Sequence, residues 1–199
     1  MVKIRDLGKW SGGGTPSMQL KEYWEKGTIP WISSKDMKTA NLFETQDYIT
    51  ETATKNTPAK LLPPNTVVVV VRSGILKHTF PVAFVPIQAA INQDLKALVV
   101  HEGILPRYAY FVIFTYARDI LMKTKKAGGT VDSLDVQAFF DFKVPLTTVD
   151  EQHRIVTILD RFDTLCNDLT SGLPAEIEAR RKQYEYYRDK LLTFKEKMA

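Results

Sequence analysis

Thr148-Val149-Asp150-Glu151-Gln152-His153-Arg154-Ile155-Val156-Thr157-Ile158-Leu159-Asp160-Arg161-Phe162 opens the stretch that decides the fold. Apolar residues return along it at helical intervals: Ile155, Ile158, Leu159, Phe162, Leu165 and Leu169, then Ile177, Tyr184, Tyr187, Leu191 and Phe194. Spacings of three, four and seven put such side chains on one stripe of a helix. A stripe this long needs a partner, so these residues are read as a helical interface. Thr148 and Glu151 have the form of a capping box, in which the threonine serves early amides and the glutamate reaches back. Glu151, Gln152, His153 and Arg154 then lie in a first helical turn and need no catalysis to explain them. Gly172 and Pro174 interrupt the pattern. Two stretches are expected, one to about Ser171 and one from about Ala175 to Glu196, joined by a kink or a tight turn. Cys166 falls on the stripe as a small buried hydrophobe. Glu176 with Arg180 and Glu178 with Lys182 sit four apart and support the helix, and the mixed charge suits a protein interface.

Ahead of Thr148 the pattern becomes strand-like. Thr66-Val67-Val68-Val69-Val70-Val71 is a run of β-branched residues that reads as a central strand buried on both faces. Arg72-Ser73-Gly74 ends it, and Ile75 to Pro81 forms a loop or hairpin tip carrying Lys77 and His78 before a strand at Val82–Val85. Asp94 to Val100 is a further strand, introduced by Asn92-Gln93. After Pro106, Tyr108 to Met122 reads as a helix with Tyr110, Phe111, Phe114, Ile120 and Leu121 available for its buried side. Lys123, Lys125 and Lys126 then lead into a double-glycine turn ending at Thr130. Near the start, Ser11 to Ser17 contains three consecutive glycines and Pro16 and cannot be a regular element. It is either a structural turn or a turn whose amides face a phosphate. Ile29-Pro30-Trp31-Ile32 reads as a short buried strand, with Trp24 and Trp31 as core aromatics. Ser33 to Lys38 is a polar loop that includes Lys35. The fold class is therefore α+β, a mixed α/β domain over residues 1–147 followed by long amphipathic, coiled-coil-like helices over 148–199.

The 199 residues carry a net charge of +4. Residues 1–148 hold 18 Lys and Arg against 13 Asp and Glu, so the basic excess lies wholly in the first region. That favours a nucleic-acid contact there. No apolar run approaches the roughly 18 residues a membrane helix needs, and one cysteine permits no disulfide framework, which together point to the cytoplasm and to no membrane partner. Chemistry is argued against by spacing. His78, His101 and His153 make no metal site, and no histidine-glutamate-x-x-histidine occurs. Ser73-Gly74 lacks the preceding glycine of a nucleophile elbow. An enzyme with an unfamiliar site remains the alternative of a different class.

Taken in order, Gly13-Gly14-Thr15-Pro16, Tyr23-Trp24, Ile29-Pro30-Trp31-Ile32, Asn92-Gln93-Asp94, Gly129-Thr130-Val131, Val144-Pro145-Leu146, Glu151-Gln152-x-x-Ile155-Val156 and Arg188-x-x-Leu191-Leu192-x-Phe194 resemble the specificity subunit of type I restriction-modification systems. The resemblance implies a target-recognition domain that reads a few base pairs, and helices that set the distance between two such domains. It implies a non-catalytic chain that binds no cofactor, beside an adenine methyltransferase subunit using S-adenosylmethionine and a restriction subunit using ATP and Mg2+. Family members carry two recognition domains and two helical regions, whereas one of each is found here. A half-length subunit that forms a homodimer through its helices would read a gapped palindrome; a fragment of a longer subunit is the other reading. Lys35, Arg72, Lys77, His78, Gln93, Lys123, Lys125, Lys126 and Thr130 are the expected DNA contacts. An assembly or regulatory subunit that binds the methylase without reading DNA is the alternative within this class.

Overall fold

In chain order the elements are β1 (Val2–Lys3), β2 (Gly8–Gly12), β3 (Ile29–Ile32), β4 (Asp47–Ile49), α1 (Glu51–Asn56), β5 (Thr66–Val70), β6 (Val82–Val85), β7 (Ala90–Ile91), β8 (Leu95–Val100), α2 (Pro106–Thr115), α3 (Ala117–Thr124), β9 (Lys125–Lys126), β10 (Ser133–Leu134), α4 (Val136–Asp141), β11 (Lys143–Val144) and α5 (Val149–Leu192). The computed structural model describes residues 1–126 and 131–192; beyond Thr164 it describes side chains at positions 178, 180–183 and 186. The chain divides into two compact units, Met1–Val156 and Thr157–Ala199. The division falls inside α5, and the first two turns of that helix belong to the first unit.

The valine run forms the expected strand. Val67, Val68, Val69 and Val70 are each 0% exposed, because β5 lies inside a four-stranded antiparallel sheet of order β2-β8-β5-β6. Val68 stands opposite Ala97 on one side and Ala83 on the other. The small alanines leave room for α2, which packs on β5, β6 and β8 with Tyr110 and Ile113 buried. Register puts Gly12, Lys96, Val69 and Val82 in one row at one end of the sheet, with Leu95 and Val70 one residue beyond, and Gly8, Val100, Thr66 and Val85 at the other end. A second sheet, β4-β3-β7, pairs β3 with β7 in parallel. Its core holds Trp31, Ile49, Ala53, Ala59 and Ala90, and Trp24 meets Trp31 edge-on at 5.2 Å. The two ends of the first unit are tied where β1 pairs with β11, and Asp141 binds Lys3 and Arg5, both at 2.8 Å.

Several expectations need correction. The helix read over Tyr108–Met122 is two, broken at Tyr116, where φ −90° and ψ 8° leave the helical region. Tyr110, Phe111 and Ile120 are buried as expected, but Phe114 is 54% exposed because it stacks on the outer side of Tyr110, 5.8 Å between rings. Ser11 and Gly12 belong to β2, since pairing with Ala97 and Lys96 gives their backbone ladder partners; irregular chain starts at Gly13. The helix runs unbroken through Gly172 and Pro174, so no tight turn forms there. A proline removes one amide donor, and adjoining turns keep their own bonds. Nor does the capping box close as expected. Glu151 is held by Arg154 through Nε at 2.8 Å and a terminal nitrogen at 2.6 Å, a charge-assisted two-point bond that outcompetes a single amide.

Of the helical interface, Ile155 and Leu159 are half-buried, Ile158 is 41% exposed and Phe162 61% exposed. The Glu178 and Lys182 side chains form the expected pair at 3.0 Å. The side chains of Leu165, Cys166, Leu169, Ile177, Tyr184, Tyr187 and Leu191, and all of Phe194, lie outside the described residues.

Candidate nucleic-acid interface

Most of the side chains singled out from the sequence leave the same end of the four-stranded sheet, the one marked by Gly12, Leu95, Val70 and Val82. The connections there are stitched together by backbone bonds. Gly14 donates its amide to Ile91 O at 3.0 Å, and the Thr15 hydroxyl donates to Gln93 Oε1 at 2.6 Å. Val71 and Arg72 both donate to Asp94 O, at 2.9 and 3.2 Å, and Ser73 donates to Asp132 O at 3.0 Å. Arg72 is also bridged to Ser133, which brings the β9–β10 hairpin against the end of β5. From that hairpin Lys125 reaches Lys77 O at 3.4 Å. Asn92 donates to Ile32 O at 2.9 Å, so the Ser33–Lys35 loop begins beside Gln93. Lys35, Arg72, Lys77, His78, Gln93, Lys125 and Lys126 thus belong to one set of adjoining connections, although the sequence spreads them over some ninety positions. Lys123 sits on the last turn of α3 just before the hairpin, with its ammonium 5.4 Å from the centre of the Phe142 ring. Thr130 lies outside the described residues.

The glycine turn beside this set is structural. A Cβ at Gly13 would lie 1.8 Å from Ile91 O, so the backbone approach excludes any side chain. Gly14 uses its amide on Ile91 and accepts the Trp31 indole N–H at 3.0 Å. That amide is unavailable to a phosphate.

The cations divide by partner. Lys35 is paired with Asp47 at 2.5 Å, and the bond to that carboxylate holds its ammonium above the usual lysine range. Lys125 pairs with Asp132 at 2.9 Å and Lys126 with Asp135 at 3.1 Å. The Ala138 amide, then Lys126, keep Asp135 below the usual carboxylate range, as expected of a residue capping α4. By contrast Arg72, Lys77 and His78 are exposed, and no side-chain hydrogen bond or ion pair engages them among the described residues. Lys77 and His78 close the single 3-10 turn Gly74–Lys77, which is anchored by fully buried Leu76 and by Ser73 Oγ accepting the Ile75 amide at 3.4 Å. A Cβ at Gly74 would meet nothing within 4 Å, so the turn projects outward.

Three residues lie outside the contacts expected from the sequence. Lys38 and Arg118 are exposed and unpaired among the described residues, flanking the turn in space. Gln152, passed over as a first-turn residue, is 1% exposed. Its Oε1 accepts the Leu105 amide at 2.9 Å, and its Nε2 donates to Gly103 O at 3.1 Å and Thr147 O at 2.9 Å. This clamp fixes the start of α5 at the opposite end of the sheet. A lone glutamine carries no sequence signal for partners 47 and 49 positions away. Among the described residues no group of three or more His, Cys, Asp or Glu is placed to hold a metal, and no helix is long and apolar enough to cross a membrane.

Residues 1–179 match the type I restriction modification DNA specificity domain. The chain is 51% identical over 191 residues to the specificity subunit of the type I restriction enzyme EcoR124I/EcoR124II of Escherichia coli, covering 96% of the chain and 47% of that subunit. It is 29% identical over 189 residues to the MjaIX specificity subunit of Methanocaldococcus jannaschii, covering 92% and 39%. The fold matches the crystal structure of the HsdS subunit from Thermoanaerobacter tengcongensis with a TM-score of 0.61 at 18% identity, over 86% of this chain and 38% of that one. The chain thus spans about half, or less, of the length of these relatives.

Proposed function

The chain belongs to the type I restriction-modification DNA specificity family, and from that premise we propose that it recognises double-stranded DNA sequence-specifically and carries out no chemistry itself. The observation that carries the proposal is the gathering of exposed cations and an amide, from separate segments, at one end of the sheet. Phosphate contacts from such groups supply affinity, and contacts to base edges supply selectivity. Residues 1–147 act as the target-recognition domain, and residues 148–199 as spacer and docking helices. The partners are an adenine methyltransferase subunit, which supplies S-adenosylmethionine chemistry, and a restriction subunit working with ATP and Mg2+, all in the cytoplasm. Exposed Ile158 and Phe162, one turn apart on α5, support a second copy or the methylase as the cover for the helical stripe. A homodimer would present two recognition domains to a gapped palindrome.

The test is selection from random duplexes by the chain mixed with its candidate methylase, followed by sequencing of the bound pool. Enrichment of a gapped inverted repeat is expected. A lone half-site would overturn the symmetric dimer, and complex formation without enrichment would replace DNA reading with an assembly role.

A further inference from the structure

We infer that, of the basic side chains gathered at this end of the sheet, those without a carboxylate partner touch DNA: Lys77 and His78 on the projecting turn, with Arg72 just before it, face base edges, and Lys38 and Arg118 bind phosphates on its two sides. The inference rests on the DNA-recognition reading and narrows it to particular side chains, two of which lie outside the contacts expected from the sequence.

Two grooves meet at the exit of the turn. One, of about 510 Å³, includes Lys38, Ile75 and Thr79 in its wall. The other, of about 410 Å³, includes His78, Thr79 and Arg118. Exposed Thr79 and Phe114 line both and form the wall between them, above buried Phe80. The result is a projecting, anchored turn ending in Lys77 and His78, with one free cation in each flanking groove. Duplex DNA offers the complementary form, a major groove roughly 12 Å wide between two rows of phosphates. Leu76 holds the turn against the core at 0% exposure, so little ordering is needed when it enters a groove.

Lys35, Lys125 and Lys126 contrast with this set. Each already faces an aspartate at 2.5 to 3.1 Å. The local charge of such a pair is near zero, and moving the lysine to a phosphate would leave the aspartate beside the same polyanion. Exchanging one ion pair for another releases little net counterion and adds repulsion. These lysines therefore hold the loops and the hairpin in shape.

The experiment measures binding of the full chain to the enriched duplex and to a scrambled duplex over a range of salt, with the methylase present in every case. Lys38→Ala and Arg118→Ala are expected to weaken both duplexes alike and to reduce the slope of log affinity against log salt by about 0.9 each. Lys77→Ala and His78→Ala are expected to narrow the preference for the enriched duplex by roughly tenfold and to relax one position on reselection. Lys125→Ala, checked for folding by circular dichroism, should leave the slope unchanged. A slope lowered by Lys125→Ala or Lys35→Ala but not by Lys38→Ala or Arg118→Ala overturns the inference while leaving DNA recognition intact. Failure of the unsubstituted complex to prefer any duplex overturns the DNA-recognition reading, and the inference with it.

Discussion

At the Thr66–Val100 end of the sheet, Gln152 is buried and engages Leu105, Gly103 and Thr147 with both polar atoms of its side chain, whereas at the Val70–Leu95 end Arg72, Lys77 and His78 are exposed and have no side-chain partner among the described residues. The same sheet thus ends in a closed polar clamp on one side and an open polar surface on the other. A satisfied buried group fixes geometry, because any change leaves its partners unpaired in a poorly solvated place. An exposed unpaired cation contributes little to folding and stays available to an external anion. For the polar side chains, stability and recognition should therefore separate by end.

The largest effect that sharpens this contrast comes from the anchor beneath the open end. Leu76→Ala should cost roughly 3 kcal/mol through the cavity it leaves, read as a lower midpoint in urea, and should weaken the preference for the enriched duplex because the turn loses its support. Gln152→Ala comes next, at about 2 kcal/mol for the buried amide and carbonyls left without partners. Its expected signature is lower stability with the salt slope of DNA binding unchanged. A slope change would break the separation between the two ends. Gln152→Glu should be at least as damaging at neutral pH, since a carboxylate would face two carbonyl oxygens, and should recover in part on acidification. Lys125→Ala removes a partly exposed pair with Asp132 and should cost about 1 kcal/mol or less.

The smallest effect is in pH. Hydrogen bonding, from Lys3 to Asp141 and chiefly from the Ala138 amide to Asp135, holds both carboxyls below the usual range in the folded protein. A folded-state value below the unfolded one means stability that is complete above about pH 4 and is lost as pH falls through the depressed values. Thermal midpoints of the wild type should fall below about pH 4, and Asp141→Asn should flatten that fall slightly. An unchanged acid limb in Asp141→Asn would show that its ion pairs with Lys3 and Arg5 add nothing to stability.

Much of the fold is legible locally. Five valines in a row can satisfy their burial only as an interior strand, and the stripe from Ile155 to Phe162 can form only on a helix. Phe114 shows where this logic stops: its spacing fits a buried helical face, but the chain turns at Tyr116 and the ring stacks outside Tyr110. The candidate site was legible in part. Arg72, Lys77 and His78 follow a strand end, where loops carrying polar groups are expected. Nothing in the sequence separates them from Lys35, Lys125 and Lys126, whose aspartates lie 12, 7 and 9 positions away.

The sequence by itself determined the valine strand, the helical stripe after Thr148, an irregular turn beyond Gly12 and the family, because each depends on residue types at short, fixed spacing; that the helix continues through Pro174 was decided by the structure. Which cations are free was decided only by the tertiary structure. Pairing depends on which aspartate each lysine meets, and that follows from strand register and loop packing between distant segments. Gln152 became a clamp for the same reason: its three partners converge only once β8, the connection to α2 and the start of α5 have come together.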